Sequence, residues 1–246
     1  MLFGIFSDIH SNLEALEVVL NFFKSYGVEN YILAGDIVGY GPNPNECVNI
    51  VKKLPNLTVV TGNHDRAACG MKETAWFNGY ASKSIEWTRA KLTQSNQIYL
   101  SELPKQAFIG VFCVVHGSPA DNLDEYMLTK EQYAANIQFI KKQFTVVGHT
   151  HMPLIFTGNH PDGIVPKNAK PGRLYTFDES ENNIIFNPGA AGQPRDSDSR
   201  ASCAVFDTEK LQLEYFRMEY DITTTQEKMR SARLPAFLIE RLSWGK

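Results

Sequence analysis

Short apolar runs rich in β-branched and aromatic residues recur along the first 150 residues, and glycine or a polar residue follows each run. The five runs are LFGIF at 2–6, YILAG at 31–35, LTVVTG at 57–62, FIGVFCVV at 108–115 and FTVVG at 144–148. Runs of this length between turn residues are typical of buried strands. This part of the chain is therefore predicted to supply five strands.

Helical periodicity separates the first strands. The segment 11–27 carries its apolar residues on one helical face, with Ser11 and Glu14 as a predicted capping box and Gly27 as its end. A second helix is predicted from Pro44 to Lys53. Strands that alternate with helices at this spacing favour consecutive strand-helix-strand units with right-handed crossovers, and hence a parallel sheet.

The pattern changes after the fifth strand. Further helices are predicted near 82–97 and 130–141, and from about residue 153 short strands follow one another closely, which favours antiparallel pairing. The Gly/Pro-rich segment 158–172 is predicted to be a mobile insertion in a loop rather than a domain linker, because strands resume directly after it. We therefore expect a single α/β domain over residues 1–246.

Composition excludes several classes of protein. The chain is 43% hydrophobic and 21% charged with a net charge of −3, and its basic residues are spread out, so we expect no general nucleic-acid-binding surface. No stretch of 18 uncharged apolar residues occurs, and the amino terminus lacks the features of a signal peptide. The four cysteines are far apart. Together these features favour a cytoplasmic protein without a membrane span.

Polar residues with metal-binding side chains follow all five early strands. They are Asp8 and His10, then Asp36, then Asn63, His64 and Asp65, then His116, and finally His149 and His151. Ligands of open α/β sheets collect outside the carboxyl ends of the strands, so these side chains are expected to meet at one edge. Five of the six histidines occupy these positions, which scattered surface histidines would not do.

The donor set indicates metal ions. Two aspartates, one asparagine and four imidazoles are too many ligands for one tetrahedral zinc ion, and they suit two divalent ions that share a carboxylate. Two ions roughly 3.5–4 Å apart would clamp a phosphoryl group and supply hydroxide at neutral pH. Mixed imidazole and carboxylate ligands fit manganese, iron, zinc or nickel better than calcium. Each acid taken alone could instead be a helix cap or turn residue.

Five motifs strengthen this interpretation because of their order. They are SDIH at 7–10, GDIVGYGP at 35–42, GNHD at 62–65, HGSP at 116–119 and GHTH at 148–151. Their order and spacing resemble those of the calcineurin-like metallophosphoesterases over about residues 1–195, and NPGAAGQPRD at 187–196 is similar to a segment of the small bacterial and archaeal members. The resemblance implies a four-layer αββα sandwich, with two mixed β-sheets flanked by helices.

The resemblance also implies roles for individual residues. Asp8, His10 and His151 would bind one metal ion. Asn63, His116 and His149 would bind the other, and Asp36 would bridge the two. His64 is similar to the catalytic histidine of the family, with Asp65 orienting it.

One motif departs from the family pattern. Many relatives have GDxxD at the second motif, whereas here Gly39 stands at the place of the second acid. This departure argues against a direct transfer of protein-phosphatase activity. Tyr40, Arg66 and Arg195 are the candidate substrate contacts, because Tyr40 is expected to line the substrate entrance and arginine suits phosphate oxygens.

The sequence therefore predicts a metal-dependent phosphoesterase. A metal-bridging hydroxide would attack a phosphate monoester, a diester or a nucleotide pyrophosphate bond, with His64 assisting. The expected partner is a small phosphorylated substrate, with a nucleotide as one candidate. The alternative is a non-catalytic metal-binding scaffold of the same fold that serves a protein partner, although every ligand position is filled here.

Overall fold

A computed structural model describes residues 1–158 and 167–246 of the chain. The strands are β1 Leu2–Phe6, β2 Asn30–Leu33, β3 Leu57–Val59, β4 Gln106–Ile109, β5 Phe112–Val115, β6 Phe144–Val146, β7 Pro153–Phe156, β8 Lys167–Asn168, β9 Leu174–Thr176, β10 Ile184–Pro188, β11 Ala201–Asp207 and β12 Gln212–Met218. The α-helices are α1 Leu13–Tyr26, α2 Pro44–Val51, α3 Asn63–Ala68, α4 Gly79–Lys91, α5 Gln94–Glu102, α6 Lys130–Asn136, α7 Ile222–Ser231 and α8 Ala236–Trp244.

The described strands form two mixed sheets. The first sheet has the order β3-β2-β1-β11-β12-β9, and the second has the order β4-β5-β6-β10-β7-β8. The predicted parallel pairing of β1, β2 and β3 is confirmed, and β11 and β12 pair antiparallel, as predicted for the later strands. The later strands do not form a sheet of their own, because β10 pairs in parallel with β6 while β11 joins β1.

The inner faces of the two sheets pack on each other. Phe3 and Ile5 of β1 point into this core and Phe6 points out to the helices, as the alternation of side chains along a strand requires. Phe112 of the second sheet meets Phe206 of the first, with ring centroids 5.0 Å apart. Burial of such a side chain contributes roughly 1.5–3 kcal/mol. The predicted four-layer α/β fold is confirmed.

Helices cover the outer faces of both sheets. The apolar face of α1, which includes Leu16, Val19 and Phe23, packs with Phe6 and Cys203 of the first sheet. On the second sheet, Tyr133 of α6 is buried with residues of β5, β7 and β10. The carboxyl ends of β1, β2, β5 and β6 meet on one side of the sandwich, which we call the open edge because residues that follow these strands line a cleft there.

Three local predictions are wrong. The cap of α1 is Asn12, whose side chain accepts a hydrogen bond from the Ala15 amide, whereas Ser11 has a φ of 55° and donates its amide to Ile37. The predicted strand 108–115 is a hairpin of β4 and β5 that turns at Gly110, where φ is 52°. The predicted helix at 82–97 is two helices, because Thr93 caps a new one.

The carboxyl-terminal helices were not predicted. α7 and α8 pack against each other and against Tyr40 and Ala81, which places them beside the strand ends. Of the predicted loop at 158–172, residues 159–166 lie outside the described residues, and β8 lies within the predicted loop. No helix in the described ranges is long and apolar enough to cross a bilayer.

Candidate active site

The structure brings the predicted metal ligands together at the open edge of the sheets. Asp8 and His10 follow β1, Asp36 follows β2, Asn63 begins α3, His116 follows β5, and His149 and His151 follow β6. All seven side chains are buried, with at most 7% of their surface exposed. Buried charges need partners or metal ions, so the clustering of these donors requires an explanation.

Asp36 occupies the centre of the cluster. Its Oδ2 lies 3.5 Å from Nε2 of His10 and 3.4 Å from Nε2 of His116. Its Oδ1 accepts a hydrogen bond of 2.9 Å from the backbone amide of His64. One oxygen is therefore fixed by the chain while the other faces histidines from two different strands.

The first group of donors lies on one side of Asp36. Nε2 of His151 is 3.3 Å and Nε2 of His10 is 3.8 Å from Oδ1 of Asp8. The two imidazole nitrogens are 3.1 Å apart. Ligand atoms of these three residues all lie within 4.8 Å of one another, which is close enough to surround one ion.

The second group lies on the other side. Nε2 of His116 is 3.1 Å from Oδ1 of Asn63, and the rings of His116 and His149 have centroids 4.9 Å apart. Ligand atoms of Asp36, His116 and His149 again lie within 4.8 Å of one another. Nε2 of His149 is 3.0 Å from the carbonyl oxygen of Asp124, so Nδ1 is the nitrogen left for a metal.

Each of the four imidazoles has its other nitrogen at a backbone carbonyl. The pairs are His10 Nδ1 with Val38, His116 Nδ1 with Ala34, His149 Nε2 with Asp124 and His151 Nδ1 with Gln193. Such a contact holds the N–H on the outer nitrogen and turns the lone pair of the other nitrogen inward. The four rings are thus oriented as metal ligands by the main chain.

The titration of three of these histidines agrees with that role. Burial lowers the pKa of His149 to about 3 and lowers the pKa of His10 and His151 well below the ordinary value. Their neutral form therefore dominates at pH 7. A metal ion binds the neutral imidazole, so no proton has to be displaced from these three rings.

The two carboxylates call for cations. Among the described residues, Oδ1 of Asp8 and Oδ2 of Asp36 are buried without a hydrogen-bond partner. Burial would lower the pKa of His116, but the adjacent Asp36 raises it to about 10, so this ring takes up a proton beside the carboxylate. That proton supplies the positive charge which the carboxylates require. The residues present therefore fit divalent metal ions.

Five of the ligands have left-handed backbone conformations. The φ values are 54° for Asp8, 49° for His10, 54° for Asp36, 65° for His149 and 59° for His151. Residues with side chains adopt this conformation at a cost of roughly 1–3 kcal/mol, and it concentrates at functional sites. The fold thus accepts local strain in order to aim these side chains at one point.

His64 lies beside the cluster and is held by packing. Its ring centroid is 4.4 Å from that of Tyr40 and 5.0 Å from that of Phe77. A Cβ atom on Gly39 would come within 2.5 Å of Nδ1 of His64, and Gly39 has a φ of 95°. The glycine that departs from the family motif therefore makes room for His64. Burial lowers the pKa of His64 to about 4, so the ring is neutral at pH 7.

Asp65 does not contact the His64 ring. Its carboxylate accepts hydrogen bonds from the backbone amides of Val38, at 3.0 Å, and Gly62, at 2.9 Å. Within the described part of the chain, Nδ1 of His64 has no hydrogen-bond partner. The prediction that Asp65 orients His64 is therefore wrong in this structure, and Asp65 instead ties two site loops together.

A cleft of about 680 Å³ opens above the cluster. We use the word floor for the seven ligands together with His64. Asp36, Asn63, His64, His149 and His151 line the bottom of this cleft. Tyr40 and Arg195 also line it, and Arg195 donates hydrogen bonds to Gln193 at 3.0 Å and to the Tyr40 hydroxyl at 3.4 Å. Two of the three candidate substrate contacts thus lie in the cleft.

Arg66 is absent from the described residues that line the cleft. It lies two residues after His64 on α3, and two residues turn a helix by about 200°. Since His64 faces the cleft, the Arg66 side chain leaves the helix on the opposite side. The prediction of Arg66 as a substrate contact is therefore not supported by its position.

The sequence patterns did not identify several of the residues that line the cleft. We call them the rim, which consists of Lys72, Phe77, Tyr126, Phe237 and Arg241. Tyr126 stacks on His149, with centroids 4.2 Å apart and planes 15° from parallel. Lys72 forms an ion pair of 2.6 Å with Asp124. No motif surrounds these residues, and the only available signal was a surplus of aromatic residues near 75–80.

The chain is similar to known proteins over most or all of its length. The model of the calcineurin-like phosphoesterase superfamily domain matches residues 1–211. The uncharacterized protein MJ0912 of Methanocaldococcus jannaschii is 38% identical over 248 residues, which cover 99% of this chain and 98% of that protein.

Two solved structures extend over the whole chain. A metallophosphoesterase from Sphaerobacter thermophilus is 39% identical with a TM-score of 0.90, covering 100% of this chain and 99% of its own. The hypothetical protein PH1004 of Pyrococcus horikoshii OT3 is 22% identical with a TM-score of 0.81, covering 100% of this chain and 98% of its own. The second similarity concerns the fold alone.

Proposed function

The chain belongs to the calcineurin-like phosphoesterase superfamily, and from this premise we propose that it hydrolyses small phosphate esters or nucleotide pyrophosphate bonds with two divalent metal ions. Membership supports a metal-dependent phosphoesterase. The use of two ions, the bond that is cleaved and the roles of individual residues are the proposal.

The position of Asp36 carries this proposal. Its Oδ2 lies within 3.5 Å of histidines from both groups of donors. One group offers Asp8, His10 and His151, and the other offers Asn63, His116 and His149. A single ion cannot contact all seven donors at bonding distance, whereas two ions that share Asp36 can. Manganese, iron, zinc and nickel all suit this donor set.

Bound ions would lower the pKa of a water molecule and polarise a phosphoryl group. In the reaction, an oxygen atom from water forms a bond to phosphorus as the bond to the leaving oxygen breaks. The proton released from water ends on the leaving group or in solvent. The left-handed loops after β1, β2 and β6 keep the donors fixed throughout, so little reorganisation accompanies the reaction.

His64 is proposed to act on the phosphoryl group. Because its pKa is about 4, the ring is neutral at pH 7 and serves better as a hydrogen-bond donor to a phosphoryl oxygen than as a full proton donor. Tyr40 and Phe77 pack against the ring. His64 is the catalytic residue in this proposal, and Asp65 holds the loops of Val38 and Gly62 together without contacting the His64 ring.

The cleft favours a small substrate. A volume of about 680 Å³ is within the range of pockets for small molecules. Arg195 lies beside the floor and is the first candidate for a phosphate contact, with Tyr40 held next to it. We also propose that the protein acts in the cytoplasm, where small phosphorylated metabolites are abundant.

Hydrolysis assays after loading with each metal test the proposal. The protein, loaded in turn with manganese, iron, zinc and nickel, is assayed with p-nitrophenyl phosphate, its bis-ester and nucleoside diphosphates. We expect turnover of at least one substrate, and loss of turnover in the His64→Ala variant with the metal retained. Bound metal without any turnover would support the non-catalytic scaffold instead.

A further inference from the structure

The carboxyl-terminal helix α8 extends the cleft beyond the part of the chain that the family model matches. The match ends at residue 211, whereas α8 spans Ala236–Trp244 and contributes Phe237 and Arg241 to the cleft lining. The metal ligands all precede residue 152. The floor and this part of the rim therefore come from different parts of the chain.

Two guanidinium groups, those of Arg195 and Arg241, line the cleft and are not neutralised by a side-chain carboxylate of the described residues. Among the described residues, neither arginine forms an ion pair with an aspartate or glutamate side chain, and the buried Nε of Arg195 has no hydrogen-bond partner. Nε of Arg241 donates a hydrogen bond to the main-chain oxygen of Lys246. Lys72, in contrast, is neutralised by Asp124. Burial lowers the pKa of Arg241 to about 10, and repulsion from Arg195 adds to that effect. Two crowded cations of this kind are suited to an anion with several oxygens.

An aromatic platform adjoins these cations. Phe237 stacks on Tyr80, with ring centroids 5.0 Å apart and planes 25° from parallel. The two rings remain 42% and 49% exposed, so their outer surfaces are accessible to a ligand. Exposed rings at the mouth of a cleft can stack on a planar ligand group.

The spacing on α8 links the two features. Phe237 and Arg241 are four residues apart and so occupy one face of the helix, at roughly 5–6 Å between their Cβ atoms. The guanidinium group of Arg241 lies 5.4 Å from the centre of the Phe237 ring. A ligand that contacts both would have a planar ring and an anionic group separated by a short spacer, as a nucleotide has.

We propose that α8 forms a second subsite of the cleft, in which Arg241 and Arg195 bind a second phosphate and the Phe237–Tyr80 platform stacks on a base. The substrate is then a nucleoside polyphosphate. This inference rests on the proposed function, because the scissile phosphate must occupy the metal floor while the remainder of the nucleotide extends along α8.

Calorimetric titration of the manganese-loaded His64→Ala protein tests the subsite apart from turnover. The probes are ADP, inorganic pyrophosphate and inorganic phosphate. We expect ADP to bind most tightly and phosphate most weakly, with about a tenfold step for the second phosphate and another for the base. Equal affinity for the three probes would overturn the proposal.

Substitutions on α8 show which residue is responsible for each of the two tenfold gains in affinity. Arg241→Gln should weaken the binding of ADP and of pyrophosphate about tenfold each relative to the binding of phosphate. Arg241→Lys should restore part of the lost affinity. Phe237→Ala and the milder Phe237→Leu should weaken the binding of ADP relative to that of pyrophosphate. The exposed residues Arg230 and Phe139 provide matched controls as Arg230→Gln and Phe139→Ala, which should not change these ratios. A uniform loss of affinity for all three probes would indicate structural damage and contradict the subsite.

Turnover separates this inference from the proposed function. In the otherwise unmodified protein, Arg241→Gln should lower the ratio of kcat/KM for ADP to that for p-nitrophenyl phosphate by about tenfold. If p-nitrophenyl phosphate is hydrolysed and the ratio does not change, the subsite is wrong and the proposed function stands. If no substrate is hydrolysed but the calorimetric pattern holds, the proposed function is wrong and the subsite stands.

Discussion

The floor and the rim of the cleft are built in different ways. Floor side chains are buried, follow strands, and are fixed by backbone carbonyls and left-handed loops. Rim side chains such as Tyr126 and Phe237 are 42% exposed and come from helices and connecting segments. From this difference we expect the floor to determine the reaction, and the rim, whose side chains have fewer constraints, to determine which substrate is preferred. Substitutions in the floor should abolish the reaction, and those in the rim should change its preference.

Asp36→Asn should have the largest effect. The amide preserves the acceptor for the His64 backbone amide but removes the negative charge that faces both groups of donors. We expect bound metal to fall to at most one ion per chain and turnover to fall by at least about 10³-fold, because the shared ligand is lost. Metal analysis and assay with p-nitrophenyl phosphate measure both quantities. The exposed Asp178→Asn is the control, and a normal metal content in Asp36→Asn would refute the central role of Asp36.

His64→Ala should separate catalysis from metal binding within the floor. Turnover is expected to fall by about 10²–10³-fold, as for loss of one donor to a transition-state oxygen. Bound metal should stay at the level of the unmodified protein, because His64 belongs to neither proposed set of ligands. The comparison is His149→Ala, which should lose metal as well as activity. Equal metal loss in both variants would place His64 among the ligands.

Gly39→Ala should disturb the floor through packing alone. The added Cβ would come within 2.5 Å of Nδ1 of His64, so the ring must shift, and we expect turnover to fall about tenfold. The left-handed backbone at this position should also lower the free energy of unfolding by about 1–2 kcal/mol. Gly27 has a φ of 84°, similar to that of Gly39, but no atom lies near the position of an added Cβ. The Gly27→Ala variant should therefore lose stability without losing activity. Equal activities in the two variants would exclude the contact with His64.

Lys72→Met should have the smallest effect, because it alters only the rim. The Lys72–Asp124 ion pair is partly exposed, and such pairs contribute about 0–1 kcal/mol. Asp124 holds His149 through its backbone carbonyl rather than its carboxylate, so the ligand should keep its place. We expect manganese affinity to change less than threefold in calorimetry. A loss of 100-fold would mean that rim and floor are coupled.

The floor could be predicted from the sequence because its residues follow apolar strands. Asp8, Asp36 and His116 are recognisable by that position, and five ordered motifs identify the set. Local detail was harder to predict. Ser11 and Asn12 both have side chains that cap helices, and only the hydrogen bond from Ser11 to Ile37 decides between them.

The rim could not be predicted, because its residues meet only in the folded chain. Phe237 and Arg241 lie on a helix with no motif, more than 80 residues after the last metal ligand. Arg66 shows the opposite error, since it is next to the site in sequence but leaves α3 on the far side. Proximity along the chain was a reliable guide at the strand ends, whereas on α3 it held for Asn63 and His64 but not for Arg66.

The most direct test of the account is the number and position of metal ions in crystals grown with manganese, measured by anomalous diffraction. The account predicts two peaks, one among Asp8, His10 and His151 and one among Asn63, His116 and His149, with Asp36 between them. A single peak at full occupancy, or ions bound away from Asp36, would contradict it.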